Sequence, residues 1–203
     1  MNRQQEFVLR AVEEREIRFI RLWFTDILGY LKSVMMSPSE LEGAFDEGVG
    51  FDGSSIEGLS RISESDTIAL PDPSTFQILP FDTDHPELQT ARMFCDITMP
   101  DGQPSWSDPR QILRRQVKFA ADEGFTCMIS PEIEFYLFRP GEDPGTIEPT
   151  DNGGYFDQAS HNVAPRFRRE AMTALDAMGS SPSSPTTRPR RASRRSTCAT
   201  RTH

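Results

Sequence analysis

Apolar positions follow a helical period at the start of the chain, short β-prone runs through its middle, and a second helical period before they cease. Phe7, Val8, Ala11 and Val12 recur at helical spacing between charged residues and predict an amphipathic helix ending near Arg15. Residues 17–24 and 31–36 are β-rich runs separated by residues 25–30, the pattern of a hairpin with a medium loop, with Trp23 and Phe24 as core or hairpin-face residues. Ser37-Pro38-Ser39-Glu40 opens a short helix running to about Glu47: Ser37 can cap, Pro38 fits the first helical position, and Glu40 stands where a capping box needs it. Residues 48–58 hold Gly48, Gly50, Gly53 and Gly58 among acids and hydroxyls and predict a loop of unusual backbone shape. Residues 66–70, 75–79 and 92–98 add three short strands, so residues 17–99 form a small mixed α+β domain. Asp101-Gly102 and Pro104 mark a turn at its boundary.

Ser107-Asp108-Pro109 then opens a helix that Gly124 closes, and residues 125–138 read as one long strand. Within that apolar run stand two carboxylates, Glu132 and Glu134. Unpaired charge beside a core is costly, so such groups shift their pKa, find a cation or hold a metal. Strand alternation places Glu132 and Glu134 on one face and Pro131, Ile133 and Phe135 on the other. Two hard oxygen donors on one face suit Mg²⁺ or Mn²⁺, although a half-exposed strand with an acidic face has the same spacing. Residues 139–154 read as a long acidic loop. Phe167, Ala171, Ala174, Leu175 and Met178 then share one helical face, after which the periodicity stops.

Charge changes the picture at that point. The 203 residues carry 22 Lys and Arg against 31 Asp and Glu, net −9, which argues against nucleic acid or an anionic membrane as a general partner. Residues 179–203 hold six arginines and no acid, which leaves 16 basic residues against all 31 acids in the part before them. Cys95, Cys127 and Cys198 have unrelated spacings without a C-x-x-C, as expected in a reducing compartment and not at a zinc site. The first residues show no apolar leader segment and no run reaches membrane-spanning length, so a cytoplasmic protein is expected. No phosphate-binding glycine loop or nucleophile triad is spelled out, and His85 and His161 stand alone in polar surroundings.

Three short patterns occur in a definite order: Phe51-Asp52-Gly53-Ser54-Ser55, Pro131-Glu132-Ile133-Glu134-Phe135 and Asn152-Gly153-Gly154-Tyr155-Phe156. Together with residues 61–66, 70–73 and 91–96, they make residues 1–178 resemble type I glutamine synthetase, with an actinobacterial character. The resemblance implies an α+β fold: a β-grasp domain over residues 1–102 and the start of an α/β catalytic domain over residues 103–178; residues 179–203 lie beyond it, and their composition predicts a disordered tail. It implies ATP-dependent ligation of ammonia to the γ-carboxylate of glutamate. Glu132 would hold the metal that bridges the ATP phosphates and Glu134 the metal nearer glutamate. Asp52 and Ser55 would reach across a subunit interface to the ammonium pocket, and Tyr155 would line it. The partners implied are glutamate, ammonium and ATP, with Mg²⁺ or Mn²⁺, in a homo-oligomer of two stacked six-membered rings. Two other functions fit the same residues: ligation of a polyamine in place of ammonia, and a non-catalytic subunit docking onto an intact synthetase.

The resemblance breaks after Ala177-Met178-Gly179. The family continues there with roughly Ile-Ser-Val-Glu-Phe-Ser-His-His-Glu-Gly-Ala-Pro-Gly-Gln-Gln-Glu-Ile-Asp-Leu, whose glutamates complete the metal shell. Written in GC-rich codons, Phe-Ser-His-His-Glu read one base out of frame gives Ser-Pro-Thr-Thr-Arg, which is Ser184 to Arg188. Gly-Gln-Gln-Glu-Ile-Asp-Leu read the same way gives Ala192 to Cys198. The tail is therefore expected to be an out-of-frame translation, without the remaining metal glutamates, the adenine pocket or the substrate-binding arginines. Its lack of aliphatic residues predicts disorder, and the 203-residue chain is expected to be inactive by itself.

Overall fold

The computed structural model describes residues 1–56, 66–81, 85–129, 132–135, 137–139, 148–150, 163–180, 182–190 and 193–200. The first helix, α1 (Arg3–Glu14), begins with a reciprocal cap: Asn2 Oδ1 accepts the Gln4 and Gln5 N–H groups, and Gln5 Oε1 accepts the Asn2 N–H. It ends in a Schellman turn, with Ile17 N–H donating to the Val12 carbonyl and Glu16 N–H to that of Glu13. Glu16 holds the left-handed position at φ 51°, and Ile17 and Val12 are buried beside the turn.

The strands β1 (Phe19–Thr25) and β2 (Leu31–Met36) form the expected hairpin. Asp26 sits inside its loop and accepts the Leu28 and Tyr30 N–H groups while pairing with Lys32 at 3.2 Å. The capping box at Ser37 and Glu40 forms as expected. It opens a 3-10 turn, Pro38–Glu40, that leads into α2 (Leu41–Glu47). The strands β3 (Val49–Asp52), β4 (Asp66–Pro71), β5 (Gln77–Ile78) and β6 (Thr90–Thr98) complete a six-stranded sheet of order β2-β1-β6-β4-β3, with β5 also on β6. Only the β1–β6 pair is parallel. Alternation decides the inner face: Ile20, Leu22 and Phe24 of β1 and Ala91, Met93, Cys95 and Ile97 of β6 are buried. They form one core with Val8 and Val12 of α1 and Leu41, Ala44 and Phe45 of α2. On the other face Arg92 stacks over Trp23 and Phe94, 5.5 and 4.7 Å from the ring centroids.

One expectation is corrected here: part of the glycine-rich stretch 48–58 is a strand. β3 pairs with β4 from Val49↔Ala69 to Asp52↔Asp66. Glycines weaken a local β signal, but backbone pairing with a distant segment overrides it, and Gly48 supplies the bend at φ 74°.

The helix α3 (Pro109–Asp122) starts at Asp108 as its cap residue. The chain divides into two compact units, Met1–Cys127 and Met128–His203, so α3 falls with the sheet. In the second unit the long strand expected over residues 125–138 is shorter: β7 spans Glu132–Phe135, and β8 (Phe138–Arg139) pairs with β9 (Glu148–Pro149) inside the stretch read as an acidic loop. The helix α4 (Val163–Ala177) carries the second apolar period.

The tail carries two further strands. β10 (Pro182–Arg190) and β11 (Ser193–Thr200) form an antiparallel hairpin whose second strand pairs with β7. Ladder bonds come from the backbone and do not require aliphatic side chains, and β7 offers an open edge. The prolines of β10 lie on the outer strand, where a missing N–H is tolerated. Among the described residues no helix is long and apolar enough to cross a membrane.

Candidate functional site

The last residue of β3, Asp52, is exposed and leads into a 3-10 turn, Gly53–Ser55. Its Oδ1 accepts two hydrogen bonds from one residue, the Ser54 N–H at 2.9 Å and the Ser54 hydroxyl at 2.6 Å. The hydroxyl bond first, and the N–H bond with it, hold the Asp52 carboxyl below the usual carboxylate range. The group is thus anionic at neutral pH. Ser55 lies in the same turn.

Glu132 and Glu134 both lie in β7, at register positions opposite Ala199 and Thr197 of β11. Asp52 belongs to the first compact unit and the two glutamates to the second. Tyr155 lies outside the described residues. The chemistry of the glutamate pair, two hard carboxylates two positions apart on a strand, fits Mg²⁺ or Mn²⁺. Among the described residues no group of three or more His, Cys, Asp or Glu could hold a metal. His85, the lone histidine within the described residues, is exposed with its Nδ1 3.0 Å from Glu87 Oε1. Cys95 is excluded as a nucleophile, since burial pushes its thiol up to about 12.

Sequence reasoning missed the charged cluster that mounts α3 on the sheet. Arg110 donates to Asp96 Oδ1 and Asp72 Oδ2, each at 2.6 Å, and Arg114, one turn on, pairs with the same two aspartates. Burial pushes Asp72 up, but the bonds from Arg110 and Ser74 outweigh it and leave the carboxyl below its usual range. Beneath this cluster Asp108 is buried, with Oδ1 accepting the Arg110 N–H and Oδ2 the Ile97 N–H, both at 2.9 Å. Burial raises the Asp108 pKa, against the hydrogen bonds it accepts from Ile97 and Arg110. Arginines four apart on a helix, together with aspartates at strand ends, were the available signal; partner choice across 38 positions was not readable.

Comparison with known proteins gives a consistent result. A family model described as the glutamine synthetase β-grasp domain matches residues 16–100, and one described as the glutamine synthetase catalytic domain matches residues 106–186. The second match runs past Met178 into the tail. Among curated proteins, a glutamine synthetase of Mycolicibacterium smegmatis is 67% identical over 180 residues, 88% of this chain and 40% of that protein. One from Mycobacterium tuberculosis is 64% identical over the same shares. The chain thus spans about two fifths of the length of the curated relatives it matches. Among solved structures, the glutamine synthetase of Plasmodium falciparum matches with a TM-score of 0.79 at 17% identity, over 96% of this chain and 44% of that one, a likeness of fold.

Proposed function

The chain belongs to the glutamine synthetase family, and from that premise we propose that it supplies one part of a catalytic centre joining ammonia to the γ-carboxylate of glutamate at the expense of ATP. The observation that carries this reading is the pair of family matches in consecutive order, with 67% identity to a relative over 180 residues. Glu132 and Glu134 are assigned as ligands of Mg²⁺ or Mn²⁺. A divalent ion held by these two carboxylates would supply positive charge against the phosphates during phosphoryl transfer. Asp52 attracts ammonium and takes one proton from it; the freed ammonia attacks the γ-glutamyl phosphate carbonyl, and phosphate leaves with the C–O bonding pair and takes up the proton that the attacking nitrogen sheds to become the amide. Ser55 and Tyr155 are assigned to the same ammonium pocket. The active site lies between neighbouring subunits of a homo-oligomer of two six-membered rings, so assembly is part of catalysis.

We further propose that the tail is an out-of-frame reading of the sequence that would complete the metal shell. Finding Ser184 to Cys198 encoded at the locus, with no alternative frame spelling the family continuation, contradicts this. The product read in the restored frame is expected to form γ-glutamyl hydroxamate from glutamate, ATP and hydroxylamine. Asp52→Asn in that product is expected to lower the rate with ammonia about 10²–10⁴-fold, the usual scale for a lost acid–base group. An unchanged rate removes Asp52 from the chemistry, and no activity in the unmutated product removes the ligase reading.

A further inference from the structure

The pattern Asp-x-Ser opens a 3-10 turn twice in this chain, at Asp52-Gly53-Ser54 and at Asp72-Pro73-Ser74. In both, the aspartate Oδ1 accepts the serine N–H and the serine hydroxyl: 2.9 and 2.6 Å at Asp52, 3.0 and 2.6 Å at Asp72. At the carboxylate the two differ in the second oxygen. At Asp72, Oδ2 accepts a guanidinium N–H from Arg110 at 2.6 Å. Asp52 Oδ2 has no partner among the described residues, and the side chain is exposed. The chain therefore contains its own demonstration of what this turn does: it fixes one carboxylate oxygen and leaves the other for a cation.

We propose that Ser54 is a positioning residue that clamps Oδ1 of Asp52 and so reserves Oδ2 for a cationic substrate group. A carboxylate at the tip of a free side chain rotates, and each rotamer must be searched before a cation is met in the right geometry. Two donors on one oxygen remove that rotation. At 2.6 Å the hydroxyl bond has the length of a charge-assisted one, so it also favours the anion that a cation needs. The backbone N–H alone would supply one of the two contacts; the hydroxyl makes the difference, and only serine or threonine at position 54 can donate it. This inference rests on the assignment of Asp52 as the ammonium-binding carboxylate, but its geometry stands without it.

The test reads the Asp52 carboxyl directly, by carbon-detected NMR titration of the 203-residue chain. In the unmutated chain it is expected to titrate below the usual aspartate range. Ser54→Ala is expected to move the midpoint upward, Ser54→Thr to keep it with the unmutated chain, and the Asp72 midpoint to stay put in both as a check that the fold is intact. A midpoint unmoved by Ser54→Ala, or moved equally by Ser54→Thr, overturns the proposal. Turnover plays no part in this readout, so a failure of the ligase reading, seen in the hydroxamate assay, remains a separate result.

Discussion

Replacing Gly48 by alanine is expected to destabilise the first unit by about 2–5 kcal/mol, the sum of left-handed backbone strain and overpacking. The residue ends α2 with φ 74° and ψ −174°, a region open to glycine and essentially closed to side chains. A Cβ built there would stand 2.3 Å from Ile68 Cγ2 and 3.1 Å from the Ala69 carbonyl oxygen. The first of these is a branch methyl in β4, not the end of a flexible side chain, so relief requires the strand to move. Gly48 also begins the run that delivers Asp52 at the end of β3, so displacement of β3 from β4 displaces the candidate site with it. Gly43 gives the matched control. It lies within α2 with open space where a Cβ would go, and Gly43→Ala is expected to stabilise by about 0.5–1 kcal/mol. Urea unfolding of the two variants checks both signs, and equal midpoints would show that the conformation at Gly48 is not required.

Asp108→Ala is expected to cost about 2–3 kcal/mol, combining a lost helix cap with a buried N–H left without its acceptor. The two losses fall on different elements. Oδ1 caps α3 through Arg110 N–H, and Oδ2 accepts Ile97 N–H within β6. Removing the carboxylate also removes the cost of burying it beside Asp96, which keeps the figure below the full sum. Asp108→Asn retains one carbonyl acceptor and is expected to lose about half as much. In a unit of this size the alanine variant should melt on the order of 10 °C lower, with the asparagine variant between it and the unmutated chain. A melting temperature unchanged in Asp108→Ala would show that α3 is held by Arg110 and Arg114 alone.

Local signals and their physics explain which parts were readable. Caps are short-range, so Ser37 and Asp108 announced their helices and both caps form. Alternating burial in β1 and β6 follows the pleat and was visible as apolar runs. β3 was missed because its evidence is a partner in another segment, and Gly48 and Gly50 mask whatever β preference Val49 and Phe51 supply. The strand expected over residues 125–138 was drawn too long because Phe125, Met128 and Ile129 are apolar; all three are exposed and lie outside regular structure.

For the site, spacing alone left Glu132 and Glu134 as either metal ligands or an acidic strand face, and the proposal of metal ligands rests on the ordered resemblance, not on geometry. The Ser54 clamp on Asp52 was spelled out in the sequence as Asp-x-Ser and acquired meaning only beside its second copy at Asp72.

The proposal that these 203 residues supply one part of a shared ligase centre predicts no turnover by the chain alone. The direct measurement is γ-glutamyl hydroxamate formation by the purified chain with glutamate, ATP, hydroxylamine and Mg²⁺ or Mn²⁺. No product above the protein-free blank is predicted. ATP-dependent product that follows the chain through purification would contradict the account.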